Sequence, residues 1–138
     1  MKEIIAIIRM DKMNATKQAL AEEGITSLTA NRVLGRGKGL VDTTVLSGAA
    51  AGQPEAVAQL GPRPRFYPKR LLSIVVNDHN VRKTVQAILR VNCTGKAGDG
   101  KVFVSPIADA IRIRTEESGT QAVLEAGETI PEHEEALS

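Results

Sequence analysis

The sequence predicts an α+β fold of four strands and two helices in the order βαββαβ, and three observations carry that prediction. Apolar, β-branched stretches of strand length recur at residues 3–9, 25–34, 71–76 and 101–107. Helical spacing of apolar residues fills the gap after the first stretch and the gap after the third. The second helical stretch runs into TGKAGDGKVFV at residues 94–104, where three glycines and two lysines surround one aspartate just before the last strand.

Taken in order, residues 3–9 are apolar and β-branched, which suits a buried strand. Asp11 is placed to cap a helix running to Glu23, with Met13, Thr16 and Leu20 on its apolar side, and Gly24 stands where a left-handed C-terminal cap is needed. Residues 25–34 alternate well enough for a second strand, and 71–76 form a third. Asn77 or Asp78 caps the second helix, which turns Val81, Val85, Ile88 and Leu89 to one face, and residues 101–107 close the sheet. Two consecutive βαβ units of this kind make a ferredoxin-like split sheet. IRIRT, residues 111–115, alternates strictly and predicts a short edge strand with Arg112 and Arg114 on one side.

Between Gly35 and Tyr67 more than thirty residues carry little structure of their own, opening with GRGKG, passing through SGAAAG and closing on GPRPRFYP. EAVAQL within it suits one or two helical turns. Such a length inside a compact domain marks a recognition loop or a disordered insertion, and its place between two core strands favours recognition.

A chain of 138 residues, 42% of them hydrophobic, buries one core and makes a single domain. The one cysteine, Cys93, excludes an internal disulfide, fits a reducing compartment and reads as a small buried thiol. No apolar run reaches membrane-spanning length and no signal peptide is evident, so a cytoplasmic protein is expected. The net charge of +2 conceals an asymmetry: seven glutamates from Glu116 onward leave all eighteen basic residues against nine acidic ones in the first 115, a net +9. A basic body suggests an anionic ligand or an acidic partner. Nucleic acid is disfavoured, since Phe66, Tyr67 and Phe103 are the only aromatics available for stacking. Residues 116–138 read as a flexible acidic tail.

Residues 95–101 satisfy most of a Walker A loop, yet Val102 stands where a magnesium-binding hydroxyl is required. The order is also helix, loop, strand, the reverse of the arrangement that aims a helix N-terminus at phosphate. An NTPase is therefore opposed, and anion binding falls to loop N–H groups with Lys96 and Lys101; the bland alternative is a glycine-rich turn with solvated lysines. His79 and His133 have no nucleophile or metal cluster about them, and no carboxylate pair stands at a catalytic spacing, so no enzyme is expected. What remains is a cation set, Lys69, Lys96, Lys101, Arg112 and Arg114.

TGKAGDGKVFV, followed by IRIRT and preceded by AIIR and EEGITSLT, closely resembles the nitrogen regulatory PII signalling proteins over about residues 1–37 and 68–115. The resemblance implies a ferredoxin-like protomer with a long T-loop (about 36–67) and a B-loop (about 93–101), a domain spanning 1–115, and a trimer that binds ATP or ADP between protomers. Carried over, the nucleotide-binding positions are Ile7, Thr29, Gly35, Gly37, Lys38, Val75, Thr94, Gly98, Asp99, Gly100, Lys101, Arg112 and Arg114, while Lys69, with Gly37, falls where 2-oxoglutarate is held. Mg2+ is a further effector the family implies. Three departures accompany it. Gly37 replaces the glutamine of the usual GRQKG, which bears on magnesium and 2-oxoglutarate; Ser73 stands where a glutamate is common; and Ala51 occupies the site of the modified T-loop tyrosine. The enlarged loop resembles the nitrogenase-associated branch, whose paralogous subunits assemble together, so a homotrimer or mixed assembly acting on dinitrogenase is expected. An ammonium transporter or glutamine synthetase is the alternative target.

Overall fold

The computed structural model describes residues 1–37 and 66–129. Lys38, most of the expected T-loop and the glutamates of residues 132–135 with His133 lie outside them. The described chain forms strand β1 (Lys2–Arg9), helix α1 (Met13–Glu22), strands β2 (Thr29–Gly35) and β3 (Tyr67–Val76), helix α2 (Val81–Asn92) and strand β4 (Lys101–Pro106). The four strands make one antiparallel sheet in the order β2-β3-β1-β4. This is the expected βαββαβ arrangement.

Alternation along β1 decides which face is core. Ile4, Ala6 and Ile8 are buried, and opposite them on β3 stand Leu72 and Ile74, which pair with Ala6 and Ile4. Against this layer α1 lays Met13, Thr16, Ala19 and Leu20, and α2 lays Thr84, Ala87, Ile88 and Asn92. Each large apolar side chain taken from water contributes about 1.5–3 kcal/mol. The other face holds Ile5, Ile7, Leu71 and Val75, all half-buried, and Phe103, which is 48% exposed; residues 122–124 approach it beside Val75. An apolar sheet face of this kind demands a second layer.

The second helix departs in part from the expected face. Leu89 is half exposed, whereas Ile88 is buried and Val81 and Val85 pack against the core as expected, and the buried stripe adds Thr84, Ala87 and Asn92. Two polar residues sit there because their groups find partners: Thr84 Oγ1 donates to the Asn80 carbonyl at 2.7 Å, and Asn92 Nδ2 donates to the Ile88 carbonyl at 2.9 Å and to Thr16 Oγ1 at 3.0 Å. The Thr16 hydroxyl passes its own hydrogen to the Lys12 carbonyl at 2.7 Å, so a short polar chain pins α2 to α1.

Helix ends divide into one agreement and two corrections. Gly24, at φ +82, ends α1 as expected: its N–H reaches the Ala21 carbonyl at 2.9 Å and that of Ile25 reaches Leu20 at 2.9 Å, a Schellman closure. Ile25 is buried by that turn, which is why β2 begins only at Thr29. Asp11 does not cap α1; it lies inside a 3-10 turn (Met10–Lys12) that leads into the helix. Neither Asn77 nor Asp78 caps α2, because the 3-10 turn Asp78–Asn80 intervenes. Asp78 instead accepts from the N-terminal ammonium at 2.9 Å.

IRIRT is not a strand of the sheet. Ile111 bridges Ser118 alone, and Arg112 N–H donates to the Glu117 carbonyl at 2.8 Å, so the segment is a tight hairpin whose tip includes Arg114. Its strict alternation satisfies a strand pattern, but only this local pairing is made. Residues 116–129, expected to hang free, fold back on the body. Glu125 accepts from Thr26 Oγ1 at 2.8 Å, and Glu128 accepts from Asn80 Nδ2 at 2.6 Å and meets His79 Nε2 at 2.8 Å. Burial raises the Glu128 pKa, but hydrogen bonds from the Glu125 N–H, Asn80 and His79 outweigh it and hold it below the usual carboxylate range.

Thr16→Val keeps the shape of the buried threonine and strips a partner from Asn92, so it is expected to lower stability by about 1–3 kcal/mol in urea unfolding. A change under a few tenths of a kcal/mol would show that the interhelical chain carries nothing.

Candidate functional site

The loop between α2 and β4 is organised around one carboxylate. Cys93 closes α2 with its N–H on the Leu89 carbonyl at 2.9 Å, and the backbone then turns through Gly95, Gly98 and Gly100, all at positive φ. Asp99 reaches back across this turn. It accepts from the N–H groups of Thr94 at 2.8 Å and Gly95 at 3.0 Å and from the Thr94 hydroxyl. Arg9, at the end of β1, places Nη1 2.6 Å from Asp99 and donates from Nη2 to the Ala97 carbonyl at 2.7 Å. Burial raises the Asp99 pKa; hydrogen bonds from the Thr94 side chain and N–H, then from Arg9 and Gly95, overturn it and hold the carboxyl well below the usual range.

The loop is also anchored from the sheet. Lys69 on β3 is buried and gives its ammonium to the Gly98 carbonyl at 2.9 Å. At Gly100 a Cβ would fall 1.8 Å from the Ile7 carbonyl oxygen, so the glycine lets the loop lie directly on β1. Its need for glycine is steric, whatever it does toward a ligand.

These placements revise the roles read from the sequence. Asp99 is committed to the loop itself, and the Thr94 and Gly95 N–H groups are committed to Asp99. Lys96 and Lys101 remain exposed at the surface. Cys93, expected to be buried, is exposed, and lines a groove of about 470 Å³ with Ile7, Leu89, Asp99, Gly100 and Lys101.

A second cavity, of about 460 Å³, gathers Thr29, Val75 and Arg112 with Thr26, Ser27 and Ser73. The two cavities share no lining residue. Ser73 donates its hydroxyl to Glu3 at 2.7 Å, which sets a carboxylate beside the position lacking one. Arg112 Nη2 donates to the Ala122 carbonyl at 3.3 Å, whereas Arg114 sits exposed on the hairpin and lines neither cavity. Gly35 and Gly37 stand at the base of the long loop, where Gly35 pairs with Tyr67 and the Arg36 guanidinium lies 5.3 Å from the Phe66 ring. Arg9, Glu125 and Glu128 escaped the sequence reading. Arg9 has no signal beyond ending β1, and the glutamates lay inside an apparently unstructured acidic run.

Two outcomes are expected. Gly100→Ala, strained at φ +106 and colliding with Ile7, lowers stability by at least about 3 kcal/mol in chemical denaturation. Asp99→Asn costs about 1.5–3 kcal/mol near neutrality. Because the native Asp99 pKa is depressed, its contribution is present above the unfolded value of about 3.9 and is lost as pH falls below it, so the difference between wild type and Asp99→Asn shrinks in acid. A gap independent of pH between 7 and 3 would contradict the charge-based account.

The family model described as nitrogen regulatory protein P-II matches residues 1–117. A "nitrogen fixation nifHD region GlnB-like protein 2" of Methanobacterium ivanovii is 47% identical over 126 residues, covering 90% of this chain and 100% of the relative. Proteins of the same description from Methanothermobacter marburgensis and Methanococcus maripaludis are 45% and 46% identical, each covering 89% of this chain and 100% of the relative. With its fold, its B-loop and these relatives in agreement, the chain belongs to the P-II family of nitrogen regulatory proteins, on the branch associated with nitrogen fixation, and is a signalling protein rather than an enzyme.

Proposed function

We propose that this chain senses nitrogen and energy status by binding ATP or ADP between protomers, with 2-oxoglutarate as a second effector, and regulates nitrogenase through its long loop. The observation that carries the reading is the division of the site. Lys101 begins β4 and Thr29 begins β2, and the order β2-β3-β1-β4 sets these strands on opposite edges of one sheet. Three strand spacings, roughly 14 Å, separate them. The B-loop cations on one edge and Arg112 with Thr29 and Val75 near the other join into one nucleotide site when a neighbour brings its β2 edge to this chain's β4 edge. Such a heterologous contact repeats around a closed ring, and three copies give the trimer typical of the family. The apolar sheet face, still open at Phe103, supplies a reason to assemble.

Thr94, Gly98, Gly100 and Lys101 then flank the phosphates from one protomer, with Ile7 and Val75 on the adenine and ribose side and Arg112 entering from the neighbour. Arg114, exposed near Arg112, is available to a neighbour's ligand. Lys69 would have to exchange the Gly98 carbonyl for a carboxylate of 2-oxoglutarate, so effector binding and B-loop position are coupled through one ammonium. The nif-region descriptions of the relatives support nitrogenase as the target, and a paralogous subunit is a candidate partner in a mixed assembly. A coupling of about 1–3 kcal/mol between ligand and loop is enough for signalling.

Calorimetry is expected to show ATP binding to the assembled protein, weakened about 10- to 100-fold in Arg112→Ala, the range of one charge-assisted contact. An absence of ATP binding would sink the reading. Retention from nitrogen-replete extract of dinitrogenase, released by ATP with 2-oxoglutarate, supports the target; retention of an ammonium transporter or glutamine synthetase instead overturns it.

A further inference from the structure

Beside the Thr29 and Arg112 cavity stands an anion that belongs to the chain, Glu125. Thr26 and Ser27 line the cavity, and their donors converge on Glu125: the Thr26 hydroxyl at 2.8 Å, the Ser27 N–H at 3.2 Å and the Ser27 hydroxyl at 3.3 Å. The preceding residues, Ala122, Val123 and Leu124, form a wall of the same cavity, and the Ala122 carbonyl takes Arg112 Nη2. One donor set and one guanidinium suited to a phosphate or carboxylate are thus occupied by a segment of the same protomer.

A second carboxylate fastens that segment. Glu128 accepts from Asn80 Nδ2 at 2.6 Å, meets His79 Nε2 at 2.8 Å and takes the Glu125 N–H at 2.8 Å, while the Glu128 N–H returns to the Glu125 carbonyl at 3.0 Å. The two glutamates are therefore locked to each other and to two separate parts of the body, the turn before β2 and the turn before α2. The anchors are few hydrogen bonds, a set that a competing ligand is able to replace.

We propose that residues 119–128 are an autoinhibitory strap, in which Glu125 stands in for an anionic ligand at Thr26 and Ser27 and the Ala122 carbonyl holds Arg112, so that a nucleotide must displace the strap to use this half of the site. The proposal rests on the nucleotide reading above and adds a competitor to it. Displacement lowers the apparent affinity by the fraction of protomers with the strap docked, and by linkage the nucleotide lowers that fraction.

The experiment uses the full chain with Glu125→Ala and Glu128→Ala together, neither residue being part of the proposed ATP contacts. Amide hydrogen exchange at residues 119–124 and ATP calorimetry are read on both proteins. Exchange at 119–124 is expected to rise at least about tenfold in the variant without ATP, and in wild type on adding ATP, with ATP binding tightened roughly 5- to 30-fold in the variant. Unchanged exchange in the variant would show that these carboxylates do not anchor the strap. Equal or weaker ATP binding with the strap released would make the strap a bystander or a wall of the ligand site, overturning the proposal while leaving nucleotide binding intact. Binding by neither protein would overturn both readings.

Discussion

The Asp99 carboxylate is the contact on which the B-loop depends. A turn with three glycines at positive φ has many conformations available, and the native one is singled out because Asp99 collects the Thr94 and Gly95 N–H groups from inside while Arg9 holds it from outside. Arg9 ends β1 and Lys69 stands opposite it on β3, so a loop of irregular backbone inherits the rigidity of the two central strands. Without that carboxylate, two N–H groups would lose their acceptor and the Arg9 guanidinium one of its partners, a cost of a few kcal/mol, or about 1–3 for each group left unsatisfied. Gly100 completes the attachment by letting the backbone rest on Ile7.

That anchoring changes how an anion site on this loop works. A phosphate on the proposed site could not use the Thr94 and Gly95 N–H groups that Asp99 already holds, which leaves the rest of the loop backbone, the exposed Lys96 and Lys101, and cations from elsewhere. Arg112 is such a cation, yet it lies toward the other edge of the sheet, in a cavity with no residue in common with the loop's groove. In the proposed assembly each protomer supplies half of two sites rather than the whole of one. This is the physical sense in which a small regulatory chain gains from oligomerisation: ligand occupancy and subunit geometry become one equilibrium.

Legibility in the sequence followed the range of the interaction. Alternation at Ile4, Ala6 and Ile8 and the glycine stop at Gly24 are local, and both were readable. The helix face was misjudged at Leu89 because hydrophobicity alone ranks leucine above Thr84 and Asn92, whereas the packing selects side chains whose donors find an acceptor where α2 meets α1. IRIRT alternates like an edge strand, yet its backbone pairs with residues 116–118 just after it. At the site, TGKAGDGK was legible as a motif, but the use of its aspartate was not, because Arg9 lies 90 residues away and no periodicity links them.

The charge asymmetry acquires a specific meaning at the C-terminal end. A basic body with a run of glutamates after it suggests solvation, but Glu125 and Glu128 are spent on hydroxyl, amide and imidazole donors rather than on lysines. A carboxylate placed on hydroxyl and amide donors, as Glu125 is, is readily exchanged for another anion, since the donors keep their geometry and no buried charge is stranded when the strap departs. An ion pair with a lysine would have held the strap more by long-range attraction and less by shape, and a competing nucleotide would then have had to overcome both. The segment that composition alone assigned to solvent is therefore chemically suited to reversible occupation of an anion site.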